Sequence, residues 1–159
     1  MSAPLLPEPD ARIRIIDFSA GNGAIWFDGP AARTVRVDIR HGFANCIADS
    51  GRLPFLDDAF DLGVFDPPHV NGSANGNISK SYGHHTAAEI RDILRRTSSE
   101  ASRCICPRGL LAFKWNDHDT DLTRALGLMP EWLPLFGHHV AHRRAHPSAT
   151  SWLLMANRK

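Results

Sequence analysis

The sequence predicts a single α/β domain built on an open, mainly parallel sheet, and three observations lead to this fold class. Short apolar segments rich in β-branched residues alternate with glycine turns and one long amphipathic segment. Acidic residues follow the carboxyl ends of several of these segments. The 159 residues, 43% of them hydrophobic, suffice for one well-buried core and are too few for two. We therefore expect a flexible arm at residues 1–11 and one domain over residues 12–159.

The first half of the chain contains four predicted strands. The segment Arg12–Ser19 is apolar and β-branched and leads into the glycine turn AGNGA. Three more strands are predicted, at Thr34–Arg40, at Ala44–Asp49 and in the segment FDLGVFDPPH, whose apolar run is Leu62–Phe65. A doubly wound fold normally has a full helix between its first two strands, but the DGP sequence at 28–30 interrupts this segment. We expect one or two helical turns there, with Trp26 and Phe27 covering the sheet.

The second half predicts two helices and three strands. The capping-box spacing of Thr86 and Glu89 and an apolar stripe with helical periodicity predict a helix over Thr86–Cys104, and PRG at 107–109 is expected to end it. A strand and a short helix come next, at Leu110–Trp115 and Asp121–Leu128. The segments HHVAHRR (138–144) and TSWLLMAN (150–157) predict an antiparallel pair of strands at the end of the chain.

Charge and cysteine content narrow the functional class. The formal net charge of +1 does not by itself indicate a nucleic-acid-binding protein. Cys46, Cys104 and Cys106 lack CxxC spacing, which argues against a disulfide framework or a zinc ribbon and favours a reduced, cytoplasmic setting. The first residues do not have the pattern of a signal peptide, and no run approaches the roughly 18 apolar residues of a membrane span. We expect a cytoplasmic protein without a membrane partner.

Four acidic residues, Asp17, Asp38, Asp49 and Asp66, fall at or near the carboxyl ends of predicted strands. Ligands of open α/β sheets bind outside these ends, so the four carboxylates are expected on one rim. Unpaired buried acids are costly as packing because the carboxylates lose their hydration. The rim is therefore suited to accept hydrogen bonds from a polar, partly cationic ligand.

The turn DFSAGNG (17–23) and the corner FDPPH (65–69) carry a family resemblance. They resemble the first motif, Asp-x-x-x-Gly-x-Gly, and the Pro-Pro-containing fourth motif of class I S-adenosylmethionine-dependent methyltransferases that act on nucleobase amines. The segments VDIR, LPFLDDAFDLGVFDPPH, AFKWND and PLFGH, in this order, resemble small phage- and prophage-type members. The resemblance covers Ile13–Lys159. It implies a Rossmann-like methyltransferase fold, minimal and with a shortened first helix, and S-adenosyl-L-methionine as the cofactor.

The resemblance implies where this cofactor would bind. Its methionine part would lie at the glycine turn, because glycine lets the backbone approach a ligand closely. Asp38 would accept hydrogen bonds from the ribose hydroxyls, and Asp49 from the adenine amine. Taken alone, each of these acids can also be interpreted as a helix cap or a solvated turn residue. The implied cofactor-binding residues are Asp17, Ser19, Ala20, Gly21, Gly23, Asp38, Ile39 and Asp49.

The fourth motif suggests the chemistry. An exocyclic amine of a nucleobase is a poor nucleophile because its lone pair is delocalised into the ring. The Asp66 carboxylate and the Pro67 carbonyl would accept its two N–H groups and so localise the lone pair, and the prolines would hold both acceptors rigidly. His69 stands where the family has a larger aromatic residue that stacks on the target base; an imidazole can stack there or donate a hydrogen bond. The predicted catalytic residues are Asp66, Pro67, Pro68 and His69, with a loop corner of no catalytic role as the alternative.

Contacts with the substrate are expected from residues outside these motifs. Tyr82 is a candidate stacking partner or a plain surface residue, whereas Trp115 is expected to pack in the core. The lysines and arginines are expected near phosphates, with a solvated hairpin as the alternative for the arginines. Histidines recur every four residues from 138 to 146, but a strand there would not bring them together, so no metal is expected. The predicted substrate-binding residues are Lys80, Tyr82, Lys114, Arg143 and Arg144.

The sequence therefore predicts an S-adenosylmethionine-dependent N-methyltransferase that acts on a nucleobase amine, with DNA (N6-adenine or N4-cytosine) favoured over RNA. We see no separate target-recognition domain, so a homodimer or a partner protein would supply recognition, unless the target is single-stranded. The alternatives are an RNA base methyltransferase, a methyltransferase of protein side-chain amides and a non-catalytic nucleic-acid-binding subunit. The amide alternative usually has Asn at the first position of the motif, and Asp66 argues against it.

Overall fold

The structure is a computed structural model that describes residues 13–26, 34–69, 85–142 and 148–159. The predicted arm at residues 1–11 lies outside these ranges. Within these ranges, seven strands and two helices follow one another. They are β1 Ile15–Asp17, β2 Thr34–Asp38, β3 Cys46–Ile47, β4 Phe60–Phe65, α1 Ala87–Cys104, β5 Ile105–Asn116, α2 Leu122–Leu126, β6 Trp132–His142 and β7 Ser148–Asn157.

The seven strands form one sheet with the order β3-β2-β1-β4-β5-β7-β6. The five strands from β3 to β5 are parallel to their neighbours, whereas β7 runs antiparallel between β5 and β6. This confirms the predicted mainly parallel sheet with an antiparallel C-terminal pair. The chain starts at β1, moves outward to β3 and returns to β4 on the other side of β1. The carboxyl ends of β1 and β4 therefore border the topological switch point, where ligands of such sheets bind.

The helix α1 begins as the sequence predicts. Thr86 Oγ1 accepts a hydrogen bond from the Glu89 backbone N–H at 3.2 Å, and Glu89 accepts one from the Thr86 N–H at 2.6 Å. Ile90 and Leu94 are buried on the side of the helix that faces the sheet. No helix within the described ranges is both long and apolar enough to cross a membrane.

The helix ends at Cys104, as the sequence predicts, but the PRG segment at 107–109 does not end it, because that segment lies within β5. The side-chain amide of Asn157 donates hydrogen bonds to the carbonyls of Ser102 and Ile105, both at 2.9 Å. These bonds hold the chain where the helix changes directly into β5, so this strand has 12 residues instead of the predicted six-residue core. Arg108 accordingly lies inside β5 with a φ of 62°, next to a shift in register against β4.

An interrupted helix was expected after the glycine turn, and the structure describes this segment only as far as Trp26. Residues 24–26 form a turn, in which the Trp26 N–H donates to the Gly23 carbonyl at 3.0 Å. Phe27 lies outside the described residues. Trp26 does not simply cover the sheet, because its indole is bound to the end of β1, as described below.

Candidate functional site

A cavity of about 1030 Å³ opens at the carboxyl edge of the parallel strands. The turn after β1 forms its floor, the residues after β2 and β3 form one wall, and the first half of α1 forms the other. Sites for small molecules usually enclose about 300–1,000 Å³, so this cavity has room for a cofactor and part of a second ligand. Acidic side chains outnumber cationic ones in its described lining, and they are Asp38, Asp49, Asp66, Glu89 and Asp92.

The floor of the cavity depends on two glycines with positive φ. Gly21 has a φ of 52° and Gly23 a φ of 73°, a region that side chains with a Cβ rarely occupy. A Cβ at Gly23 would overlap the ring of Phe43, whereas one at Gly21 would lie 3.8 Å from its nearest neighbour, the Ser19 carbonyl oxygen. The turn is anchored to the sheet because the Ala20 N–H donates to the Val37 carbonyl at 2.9 Å.

Asp17 is fully buried at the end of β1 and holds this turn in place. Its carboxylate accepts hydrogen bonds from the Ser19 N–H at 3.0 Å and from the Trp26 indole N–H at 2.7 Å. Burial raises the pKa of Asp17, although both hydrogen bonds act in the opposite direction. Asp17, Gly23 and Trp26 do not line the described cavity, so Trp26 leaves it open. The direct cofactor contact of Asp17 and Gly23 stays a prediction.

Asp38 connects the end of β2 to the glycine turn. Its carboxylate accepts hydrogen bonds from the Gly21 N–H at 3.1 Å and from the Arg40 N–H at 2.9 Å. Asp38 and the neighbouring Ile39 line the cavity, and Ile39 is 70% exposed. The structure thus brings together an acid and an apolar surface beside the turn, as the predicted binding of a ribose and its base requires.

Asp49 lies after β3 on the same wall. One carboxylate oxygen accepts from the Gly51 N–H at 2.9 Å, and the other pairs with Arg96 of α1 at 2.7 Å. Partial burial opposes ionisation, but these two contacts outweigh it and lower the pKa of Asp49. Arg96 is held in turn by Asp92, one helical turn earlier, at 2.7 Å. Sequence reasoning missed Arg96 and Asp92, although their i, i+4 spacing on a capped helix was a usable signal.

The corner after β4 brings Asp66 to the opposite side of the cavity. The Asp66 N–H donates to Ser19 Oγ at 2.7 Å, which ties the fourth-motif corner to the glycine turn. Asp66 Oδ2 accepts from Lys114 Nζ of β5 at 2.6 Å. The second oxygen, Oδ1, is buried and has no hydrogen-bond partner among the residues that the structure describes. A buried acceptor without a donor is costly, so this oxygen is suited to meet a ligand donor.

The imidazole of His69 packs beside this corner. Its Nδ1 lies 3.2 Å from the Pro67 carbonyl oxygen, and its ring meets that of Trp115 edge to face with centroids 6.2 Å apart. Burial lowers the pKa of His69, so the imidazole is neutral near pH 7. Pro68 lines the described cavity but His69 and Pro67 do not, so stacking of His69 on a base stays a prediction. Trp115 is fully buried, which agrees with the expected packing role.

Several predicted contacts lie outside the residues that the structure describes, namely Lys80, Tyr82, Arg143 and Arg144. Of the predicted substrate-binding residues, Lys114 is described, and its ammonium is paired with Asp66. His138 and His139 belong to strand β6, as expected, and not to a helix.

No protein-family model matches the sequence, and no curated protein matches it. Solved structures of similar fold do exist. The PH0226 protein from Pyrococcus horikoshii OT3 has a TM-score of 0.64 at 16% identity, over 93% of this chain and 82% of that chain. A SAM-dependent methyltransferase from Methanosarcina mazei has a TM-score of 0.56 at 10% identity, over 90% of this chain and 91% of that chain.

A third similar structure is an N2 methyltransferase of 16S rRNA from T. thermophilus, solved with AdoMet and guanosine. It has a TM-score of 0.54 at 17% identity, over 93% of this chain and only 36% of that chain. At these identities the comparisons establish the fold. The chain has the Rossmann-like fold found in SAM-dependent methyltransferases, as predicted.

Proposed function

We propose that this chain is an S-adenosylmethionine-dependent methyltransferase that acts on an exocyclic amine of a nucleobase. The observation that carries the proposal is the state of the Asp66 carboxylate beside the cavity. Lys114 occupies Oδ2, while Oδ1 is buried without a donor in the described part of the chain. An amine N–H of a substrate is the kind of group that this oxygen lacks.

The described residues fit the proposed cofactor. The backbone of Ser19–Gly21 would face its methionine part, Asp38 its ribose hydroxyls and Asp49 its adenine amine, since all of them line one cavity. When bound, S-adenosylmethionine supplies a methyl group carried on a cationic sulfur. The excess of acidic side chains around the cavity favours such a cation. The fold neighbours that depend on this cofactor support the same assignment.

Asp66 and Pro67 would activate the substrate amine. Asp66 Oδ1 would accept one N–H of the amine and the Pro67 carbonyl the other, which draws the nitrogen lone pair out of the ring and toward the methyl carbon. The carbonyl keeps one lone pair for this purpose, because His69 Nδ1 occupies only the other. The methyl group would pass from the sulfur to the activated nitrogen, and Asp66 Oδ1, which accepts one N–H of the amine, would take up the proton that this nitrogen then releases. The gain comes from positioned acceptors in a site shielded from water.

The proposed substrate is a nucleobase in DNA, at N6 of adenine or N4 of cytosine, and RNA is the second candidate. The resemblance of the FDPPH corner to the fourth motif of methyltransferases that act on nucleobase amines supports a nucleobase as the substrate. The T. thermophilus neighbour, which acts on rRNA, shows that this fold also serves RNA and favours keeping that candidate. We further propose that a homodimer or a partner protein completes target recognition in a cytoplasmic setting.

The test combines labelled S-adenosylmethionine with separate pools of DNA, RNA and protein, followed by nucleoside analysis. The chain should transfer label to one nucleic-acid pool. Asp66→Ala should lower transfer by at least about 10²–10³-fold, the usual effect of removing a preorganised polar group, and leave cofactor affinity within about twofold. Asp61→Asn is the matched control, because Asp61 lies on the same strand but pairs with Arg14 outside the cavity.

The other outcomes are informative as well. Undiminished transfer by Asp66→Ala would reject the mechanism. Label in the protein pool would favour amide methylation, and the absence of any cofactor affinity would favour a non-catalytic subunit.

A further inference from the structure

The face of the sheet opposite α1 carries an unusual surface on β5, β7 and β6. Side chains alternate along a strand, so residues paired across neighbouring strands point to the same side. On the side of α1, Leu111, Phe113 and Met155 are fully buried. We call the other side of these three strands the open face. Two of its rows, read across β5, β7 and β6, are Ala112–Leu154–Phe136 and Lys114–Trp152–His138.

Aromatic side chains of the open face are accessible to solvent. Phe136 is 70% exposed and Trp152 is 36% exposed. They lie on adjacent strands, two residues apart in register, and such diagonal neighbours are about 7–8 Å apart. Two large aromatic side chains therefore lie on the same side of adjacent strands, where successive planar groups can stack on them.

The open face is continuous with the candidate site through one side chain. The ammonium of Lys114 lies 2.6 Å from Asp66 Oδ2 and 5.8 Å from the centroid of the Trp152 ring. Lys114 also lines the cavity. A ligand that stacks on Trp152 would therefore be separated from the Asp66 carboxylate only by the Lys114 side chain.

We propose that the open face binds single-stranded nucleic acid and leads it to Asp66, an inference that rests on the function proposed above. Trp152 and Phe136 stack on successive bases, and Lys114 and His138, which flank Trp152 on β5 and β6, contact the backbone. Exposed aromatic residues on a sheet bind single strands in this way, because unpaired bases offer their faces. A duplex hides those faces inside its own stack. This assigns the substrate class as a single-stranded or locally opened strand.

The size of the open face argues against a second copy of the chain as its occupant. With strands about 4.8 Å apart and a rise of about 3.4 Å per residue, the four rows from Leu110–Ala156–Leu133 to Asn116–Thr150–Val140 cover about 400 Å². A stable protein interface buries about 800 Å² per partner. The rows of the open face also carry Lys114, beside Trp152, and no acidic side chain, which suits a phosphate backbone.

Fluorescence anisotropy tests the inference with labelled single-stranded DNA, single-stranded RNA and duplex DNA of one sequence. We expect both single strands, or one of them, to bind at least about tenfold more tightly than the duplex. Trp152→Leu and Phe136→Leu should each weaken that binding about tenfold, since one base stack contributes about 1–3 kcal/mol. Trp152→Phe, which keeps an aromatic face, should retain most of the affinity. Leu56→Ala, at an 84% exposed site in the loop before β4, is the control and should bind normally.

Two results would overturn the inference. One is equal binding of single strands and duplex, or full affinity in both leucine variants. The other is a dimer in sedimentation experiments that the leucine variants dissociate without changing oligonucleotide affinity, which would assign the open face to a second copy. The binding assay requires no methyl transfer. Failure to find methylated nucleosides would thus reject the proposed function separately from the binding surface.

Discussion

Lys114 Nζ lies 2.6 Å from Asp66 Oδ2, and this contact joins the middle of the sheet to the corner after β4. The Lys114 and Asp66 side chains are 24% and 13% exposed, so the pair is largely shielded from water. The contact fixes the orientation of the carboxylate and leaves Oδ1 as the oxygen that is free of donors within the described ranges. We infer that Lys114 positions Asp66 for its substrate.

Replacing this lysine should impair turnover more than binding of the methyl donor. Lys114→Met leaves the Asp66 carboxylate free to rotate, and we expect kcat at saturating substrate to fall about tenfold to hundredfold. The KM for S-adenosylmethionine should stay within about twofold. Lys114→Arg should recover part of the loss, because a guanidinium can reach the same oxygen. A kcat of Lys114→Met equal to that of the unchanged chain would contradict the positioning role.

The contact between Trp26 and Asp17 predicts a pH-dependent stability. Burial raises the folded-state pKa of Asp17 above its ordinary value of 3.8, so the folded chain holds this proton more readily than the unfolded chain. The contribution of Asp17 to stability is therefore greatest below about pH 3.8 and declines as pH rises through the folded-state pKa. Trp26→Phe removes the indole donor to Asp17 and raises this pKa further. The variant should lose about 1–3 kcal/mol near pH 7 and much less near pH 3.5.

Trp132→Phe provides the matched control for this experiment. The Trp132 indole donates to the Ser98 carbonyl at 3.2 Å, and a carbonyl does not titrate. Chemical denaturation of both variants across this pH range should show a pH-dependent loss for Trp26→Phe and a constant loss for Trp132→Phe. If the loss of stability depended on pH in the same way for both variants, the pKa of Asp17 would not depend on the Trp26 indole.

The two glycines of the turn should differ in their tolerance of alanine. Gly21→Ala meets only the cost of a positive φ, about 1–2 kcal/mol, because its Cβ has room. Gly23→Ala also overlaps the Phe43 ring, which adds about 1–3 kcal/mol. In urea, Gly23→Ala should therefore have a lower free energy of unfolding than Gly21→Ala. Phe43→Leu in the Gly23→Ala background should restore part of the stability. An equal loss in the two alanine variants would exclude the overlap.

The fold was largely predictable because its main signals are local in the sequence. The capping box joins Thr86 to Glu89, only three residues further along the chain, and so marks the start of α1. The glycine turn and the Pro-Pro corner likewise mark where β1 and β4 end. The direct change of α1 into β5 after Cys104 was not predictable in this way. It depends on Asn157, which reaches back to Ser102 from the last strand of the sheet.

The contacts within the candidate site were harder to predict for the same reason. The pair of Lys114 with Asp66 joins residues 48 positions apart, and its existence depends on the register of β4 and β5. The Trp26 side chain was expected to cover the sheet. Its indole N–H also donates to Asp17, a hydrogen bond that a purely apolar side chain could not make. A rim of acids was visible in the sequence. Which acids line the cavity, and which hold the turn, follows only from their partners in three dimensions.

The contact between Arg96 and Asp49 in the wall of the cavity leads to a prediction about cofactor binding. Arg96 holds Asp49 in place, and Gly51 admits the arginine because a Cβ there would come within 2.6 Å of Arg96 Nη1. Arg96→Met should weaken binding of S-adenosylmethionine by about threefold to tenfold, as Asp49 loses its orientation toward the adenine amine. Stability should change by less than about 1 kcal/mol, since the pair is partly exposed.

Calorimetry with a modified donor makes this prediction specific. A donor whose adenine amine is replaced by hydrogen has no N–H on that edge to offer to Asp49, so its affinity should be equally low for the unchanged chain and for Arg96→Met. Arg95→Met alters an exposed arginine of the same helix that does not line the cavity, and should bind both donors normally. If Arg96→Met weakened both donors by the same factor, Arg96 would act on the cofactor by a route other than Asp49.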